Sequence, residues 1–392
     1  MLDIQRIRKE TRGCENILHL NNAGSSLTSA PVQDYLNNYL NKDAELGGYE
    51  TADLYKADLE NFYLAAAKAV NGKPSEIAFI ENATRAWDMV FYAFDWKPGD
   101  VLLTSVTDYN SNMVAYIHAK ERFGMDFITI PNDEHGQLDV EAMEKAITPE
   151  VKLIAVSHIP TNSGLVNPVE KVGTLAKKHN IPFLLDACQS VGQMPIDVKK
   201  IGCDMLSTTG RKYIRGPRGT GFLWVSENWI EKLNPPFLDN YAAPWVTPSS
   251  YKILPNAKRF ENWERYFGGQ AALGVALDYM MDVGMENIWQ RIQMLSSRLR
   301  DGLLNIEGVT LWDPGQQKCG LVTFTKEHVN ASKAKLKLRE NHIHISASGT
   351  QLTRPEQREA GITETIRASV HYYNTEEEID HFINVMRNFT TD

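Results

Sequence analysis

Cysteine is scarce in this chain: four residues in 392, at Cys14, Cys188, Cys203 and Cys319. They form no CxxC pair and no zinc-ligand spacing, which excludes a disulfide framework and the usual zinc motifs. His342 and His344 alternate on one strand without a third ligand, so no metal site is expected. Scattered cysteines in a chain this long fit free thiols in a reducing cytosol, and a cytoplasmic location is expected. No stretch approaches the roughly 18 uninterrupted apolar residues of a membrane span. The first ten residues have no apolar core of a secretory signal. Basic residues are not in excess, since 41 Lys and Arg face 49 Asp and Glu for a net charge of -8. Nucleic acid is therefore not an expected partner, and neither is a membrane. Repeats and low-complexity segments are also missing. What remains is an ordinary globular balance, 43% hydrophobic and 23% charged, in a chain long enough for two domains.

The most informative stretch is Met205 to Gly221. An apolar lead-in is followed by the hydroxyls of Ser207, Thr208 and Thr209. Gly210 and the pair Arg211-Lys212 come next, then a Gly- and Pro-rich loop and the apolar run Phe222-Leu223-Trp224-Val225. A lysine among hydroxyls and cations suits an aldehyde cofactor that also carries a phosphate dianion. Lys212 is therefore read as the Schiff-base lysine of pyridoxal 5'-phosphate (PLP). Taken alone, the stretch is equally a solvated basic turn.

The order of elements upstream supports the cofactor reading. The apolar runs Ile77–Ile80, Val101–Thr104, Asp126–Ile130, Val151–Ser157 and Ile181–Asp186 read as strands, and helical patterns separate them. Alternation from about residue 77 to 210 predicts an α/β fold with an open, mostly parallel sheet. The run Phe183-Leu184-Leu185 is typical of a strand buried on both faces. In such sheets ligands bind at the carboxyl ends of the strands. Thr84, Tyr109, Asn162, Asp186, Gln189 and Lys212 all fall there. Beyond residue 226, prolines 235, 236, 244, 248 and 255 mark an irregular connection, followed by helices and a few strands that read as a smaller α+β domain.

PLP needs four kinds of help: a lysine, a carboxylate on the pyridine nitrogen, donors for the phosphate, and a face for the ring. Lys212, Asp186, Thr84 with Thr209 and Arg211, and Tyr109 fill these roles in turn, with Asn162 and Gln189 near the ring hydroxyl. The turn Glu81-Asn82-Ala83-Thr84 opens a helix whose free N–H groups favour an anion. Asn82, Thr84 or Asp186 can equally be helix caps.

These motifs occur together in a known family. Asn82-Ala83-Thr84, Thr161-Asn162-Ser163-Gly164, Asp186-Ala187-Cys188-Gln189-Ser190-Val191-Gly192, Thr209-Gly210-Arg211-Lys212 and Arg367-Ala368-Ser369 with Tyr373-Asn374-Thr375 resemble the class V aminotransferase family of fold-type I PLP enzymes. That family includes cysteine desulfurases, selenocysteine lyases, cyst(e)ine C–S lyases and isopenicillin-N epimerase. The resemblance implies a large PLP-binding domain over 15–255, with a mostly parallel seven-stranded sheet flanked by helices. It implies a small α+β domain over 256–392 with 1–14. It places Ala83, Thr84, Thr209 and Arg211 on the phosphate and Arg367 on the substrate α-carboxylate. It also implies a homodimer with a shared active site, residues near Phe260-Glu261-Asn262-Trp263 reaching the partner.

Three departures bear on function. Tyr109 stands where many members have histidine, and Thr-Gly-Arg-Lys replaces Ser-x-His-Lys. The segment Ile343 to Thr350 lacks the cysteine on which desulfurases carry sulfur. The block from Arg211 to Gly219 and Asp108 to Asn112 are most similar to the subgroup that cleaves C–S bonds of cysteine conjugates. The expected activity is β-elimination to pyruvate and ammonia. Transamination and epimerisation are the alternatives, and a cysteine desulfurase is disfavoured. The loops around Tyr49, Tyr241, Trp245 and Gly349 to Arg354 are expected to line the substrate side-chain pocket.

Overall fold

The structure, a computed structural model, describes residues 2–349 and 360–391. Seven strands form the main sheet: β1 (Ile77–Ile80), β2 (Val101–Ser105), β3 (Asp126–Ile130), β4 (Val151–Ser157), β5 (Phe183–Asp186), β6 (Met205–Thr209) and β7 (Gly221–Val225). Their spatial order is β1-β7-β6-β5-β4-β2-β3. The neighbours from β6 to β3 pair in parallel, and β7 runs antiparallel to both β6 and β1. The apolar runs explain this layout. β5, β6 and β7 are buried along their whole length, and helices cover both faces.

A second sheet of four strands takes β8 (Val309–Leu311), β9 (Leu321–Lys326), β10 (Ser346–Gly349) and β11 (Glu364–Ser369), in the order β8-β9-β11-β10. The N-terminal segment is tied to this sheet: Ser369 N–H donates to Leu20 O at 2.7 Å. Arg354 and Thr350, expected near the substrate, lie outside the described residues. Among those described, no helix is long and apolar enough to cross a membrane. All four cysteines are free.

Two helices end where their apolar pattern does not. The helical stretch before the main sheet is broken at Tyr55, giving Gly48–Leu54 and Lys56–Val70. The Tyr55 ring packs against Tyr39, with centroids 4.9 Å apart. The helix Ala83–Phe91 stops short of Phe94, because the Trp96 indole N–H takes the Phe91 carbonyl at 2.8 Å. A long apolar pattern continues past the point where a local hydrogen bond ends the helix.

Candidate active site

Three neighbouring strands deliver the floor of the site. Register pairs Ser157 with Asp186, and Asp186 with Ser207, so the ends of β4, β5 and β6 form one rim. β1 leads into helix α1 (Ala83–Phe91). Asn82 Oδ1 accepts the Arg85 N–H at 3.0 Å, so Asn82 is the cap, and Thr84 faces the cavity. β2 leads through Asp108 and Tyr109 into α2 (Asn110–Phe123).

The lysine loop is closed on itself and braced from outside. Gly216 N–H donates to Gly210 O at 2.8 Å, and Arg215 N–H to Lys212 O at 2.9 Å. The turn at Asn21–Ser26 supports it, through Ser26 N–H to Arg211 O at 2.9 Å. Gly192 has φ +88°, and a Cβ there would overlap the Tyr213 backbone. Glycine at 192 therefore lets the segment after Asp186 pack directly on the loop that carries Lys212.

A cavity of about 320 Å³ lies between these elements, lined by Ala83, Thr84, Tyr109, Asp186, Gln189, Thr209, Arg211 and Lys212. Lys212 is buried, and its Nζ donates to Cys188 Sγ at 3.3 Å. Burial pushes the Cys188 thiol pKa up, against the pull of the Lys212 charge. Asp186 Oδ1 accepts the Cys188 N–H at 2.9 Å. Burial raises the Asp186 pKa, the Cys188 N–H and Lys212 oppose the rise, and the charge of Asp108 adds to it. Arg211 Nη1 donates to Thr209 Oγ1 at 3.2 Å, which places a cation and a hydroxyl together near the N-terminus of α1.

Two expected residues stand apart from the lining. Asn162 has an exposed amide that donates to Gly349 O at 3.4 Å. Its neighbour Thr161 lines the cavity instead. Arg367 lies behind Thr161, donating from Nη1 to Thr161 O at 2.8 Å and to Thr161 Oγ1 at 3.1 Å. Burial lowers its pKa to about 10. Gln189 Nε2 donates to the same Thr161 hydroxyl at 3.3 Å. Arg218 also lines the cavity, as do Asn112, Ser157 and Cys188, which were not singled out by sequence as site residues. Asn112 carried a usable signal, since it lies three residues beyond Tyr109 and so on the same helical face. Ser157 and Cys188 are consequences of strand register, which sequence does not state.

The aminotransferase class-V family profile matches residues 18–382. The chain belongs to the aminotransferase class-V family. A probable cysteine desulfurase of Synechocystis sp. is 30% identical over 398 residues, covering 98% of this chain and 93% of the relative. The apo structure of a cysteine desulfurase from Thermococcus onnurineus NA1 superposes with a TM-score of 0.90 at 26% identity, covering 99% and 98% of the two chains. A cystine C–S lyase in complex with cysteine persulfide shares the fold, with a TM-score of 0.88 at 23% identity, covering 97% of this chain and all of that one. The fold is that of the fold-type I PLP enzymes.

PLP is the cofactor of this family, and the protein is a PLP-dependent enzyme. The residues present fit the group. The cavity offers a buried primary amine, a buried carboxylate, and arginines beside hydroxyls at a helix N-terminus. Gln189 Oε1 and Arg367 Nε are buried and have no partner among the described residues. Such polar atoms are costly to leave unsatisfied, and Gln189 lines the cavity, where a bound polar ligand would meet it. Among the described residues, no group of three or more His, Cys, Asp or Glu side chains is placed to hold a metal ion.

Proposed function

We propose that the protein is a C–S β-lyase acting on cysteine or a cysteine conjugate. The substrate R–S–CH2–CH(NH3+)–COO− and water give R–SH, pyruvate and ammonium. The observation that carries this reading is the location of the thiols. Residues 343–350 contain no cysteine. Cys319 is fully buried, and burial pushes its pKa up to about 12. Without a C-terminal thiol to receive it, sulfur leaves as free product. The names of the relatives support cysteine as the amino-acid part of the substrate.

Lys212 is the residue that would hold PLP, and its Nζ is the base that would take the proton from the substrate Cα. PLP supplies the electron sink for the bonds at that carbon. Asp186 would hold the proton of the pyridine nitrogen. The N–H groups of Ala83 and Thr84, the Thr84 and Thr209 hydroxyls and Arg211 would hold the phosphate. Tyr109 would cover the ring, Gln189 would take the ring hydroxyl, and the Arg367 fork would take the substrate carboxylate.

The test is an absorbance spectrum of the purified protein with PLP, followed by addition of amino acids and cysteine conjugates. A visible band lost on borohydride reduction, with pyruvate released from a cysteine conjugate, supports the lyase. Conversion of PLP to its amine form without pyruvate makes it an aminotransferase. Loss of the α-hydrogen with inversion alone makes it an epimerase. The relatives' names favour a second reading, a cysteine desulfurase using Cys188, which would release alanine instead of pyruvate. The exposed apolar side chains Trp245, Val246, Tyr251 and Trp263 support a homodimer. Sedimentation as a single 44.3 kDa species would overturn that.

A further inference from the structure

A second buried carboxylate lies beneath the site and has no part in the roles above. Asp108 is 2% exposed, at the end of β2, and five donors converge on it. Its Oδ1 accepts from Tyr109 N at 2.7 Å, Asn112 Nδ2 at 3.2 Å and Ser157 Oγ at 2.5 Å. Its Oδ2 accepts from Thr104 Oγ1 and Tyr116 Oη, each at 2.8 Å. Two of these donors, Asn112 and Ser157, also face Asp186. They stand farther from it, each 3.4 Å from Oδ2.

A serine hydroxyl has one proton to give. At 2.5 Å against 3.4 Å, Ser157 gives it to Asp108. The Asn112 amide has two N–H groups and reaches both carboxylates. Asp186 is left with one good bond, from Cys188 N–H to Oδ1, and an Oδ2 that only long contacts reach. A buried carboxylate short of donors is a strong acceptor for a cationic N–H.

We propose that Asp108 is a positioning residue: it draws the Ser157 hydroxyl away from Asp186, so that Asp186 Oδ2 stays open to the cofactor. This rests on the reading of Asp186 as the partner of the pyridine nitrogen. Removing the acceptor frees Ser157 to donate to Asp186. Asp186 then competes less well for the cofactor's proton, and PLP binds more weakly. Removing Ser157 as well takes the competing donor away. A residue that only supports the fold would not be rescued in this way.

The test is the dissociation constant of PLP, measured by spectroscopic reconstitution of apoprotein, for wild type, Asp108→Ala and Asp108→Ala with Ser157→Ala. The expected result is at least tenfold weaker binding in the single variant and recovery of most of that loss in the double variant. The other ionisable groups at this floor are Lys212, Cys188 and Tyr116, which all three proteins retain. A folded Asp108→Ala protein with wild-type PLP affinity, or a double variant no better than the single, would overturn the proposal. If Asp108→Ala does not fold, a crystal structure of the wild-type holoenzyme decides: Ser157 Oγ closer to Asp186 than to Asp108 overturns it, and the reverse supports it. Wild-type protein that takes up no PLP would sink the underlying reading instead, and that outcome is distinct from either.

Discussion

Lys212 Nζ stands 3.3 Å from Cys188 Sγ, and the two side chains share one wall of the cavity beside Asp186. The lysine proposed to hold the cofactor and a free thiol are thus neighbours, and only the lysine is needed by a lyase. The thiol is a poor nucleophile in this position. Burial raises its pKa, and the Lys212 charge offsets that only in part.

The two residues should therefore separate by mutation. Lys212→Ala should lose at least roughly a thousandfold in pyruvate release, and borohydride should no longer fix PLP to the protein. Cys188→Ala should keep pyruvate release within about threefold, since no sulfur needs to rest on the protein. Mass spectrometry of wild type after turnover should find no persulfide on Cys188. A persulfide there, together with loss of turnover in Cys188→Ala, would favour the desulfurase.

Arg367 should govern substrate affinity and leave PLP in place. Its Nη1 is already committed to Thr161, and its Nε is buried without a partner among the described residues. Lysine keeps the charge and loses the planar fork. Arg367→Lys should raise KM about 10- to 100-fold, the range of one lost charge-assisted bond, with the visible band unchanged. An unchanged KM would remove Arg367 from the substrate site.

The strands of the main sheet were legible because both faces are covered, so that β5 reads as a continuous apolar run ending in a carboxylate and β4 and β6 as mainly apolar stretches ending in hydroxyls. Lys212, Asp186, Gln189 and Thr84 stood out for the same reason, each just past such a run. Asn162 did not take the place expected of it. It shares a polar turn with Thr161, and a displacement of one residue in a turn decides which side chain faces inward. The Asp108–Ser157–Asp186 cluster was out of reach because it depends on lateral register between β2, β4 and β5. A sequence shows where strands end but not which ends lie side by side. Nor does the sequence announce that Glu261 is buried against Tyr63 and Phe79, which are far from it along the chain.

Arg215 ties the lysine loop to the rest of the molecule. It is 1% exposed, with φ +64°. It donates to Leu27 O at 2.8 Å, Tyr372 Oη at 2.8 Å and Thr11 Oγ1 at 2.6 Å, and its guanidinium lies 4.8 Å from the Tyr373 ring centroid. Arg215→Ala leaves a cavity and strands a buried carbonyl and two hydroxyls. The cost should be about 3–5 kcal/mol, read as a lower urea midpoint. PLP affinity should fall as well, because the lost side-chain bonds anchor the turn in which the Arg215 N–H meets Lys212 O. Loss of stability below about 1 kcal/mol would show that the surrounding tyrosines hold the loop without it.

Glu261 makes stability depend on pH. Tyr63 Oη donates to it at 2.9 Å and Phe79 N–H at 2.8 Å. Burial dominates these bonds and the Arg265 charge, and raises its pKa from 4.5 to about 7. The folded state thus binds this proton more tightly than the unfolded state does. Its contribution is fully present below the unfolded value and is lost as pH rises through the folded one. Between about pH 4.5 and pH 7 the loss is about 3 kcal/mol at most, at 1.36 kcal/mol per unit. Asp88, raised to about 6 by burial, adds a slope of the same sign. Glu261→Gln keeps an oxygen for Tyr63 and Phe79 and cannot ionise. Urea midpoints at about pH 5 and about pH 8 should therefore fall less in Glu261→Gln than in wild type, and Asp88 cancels from that difference. Equal falls in the two proteins would mean that Glu261 is already ionised in the fold at the lower pH.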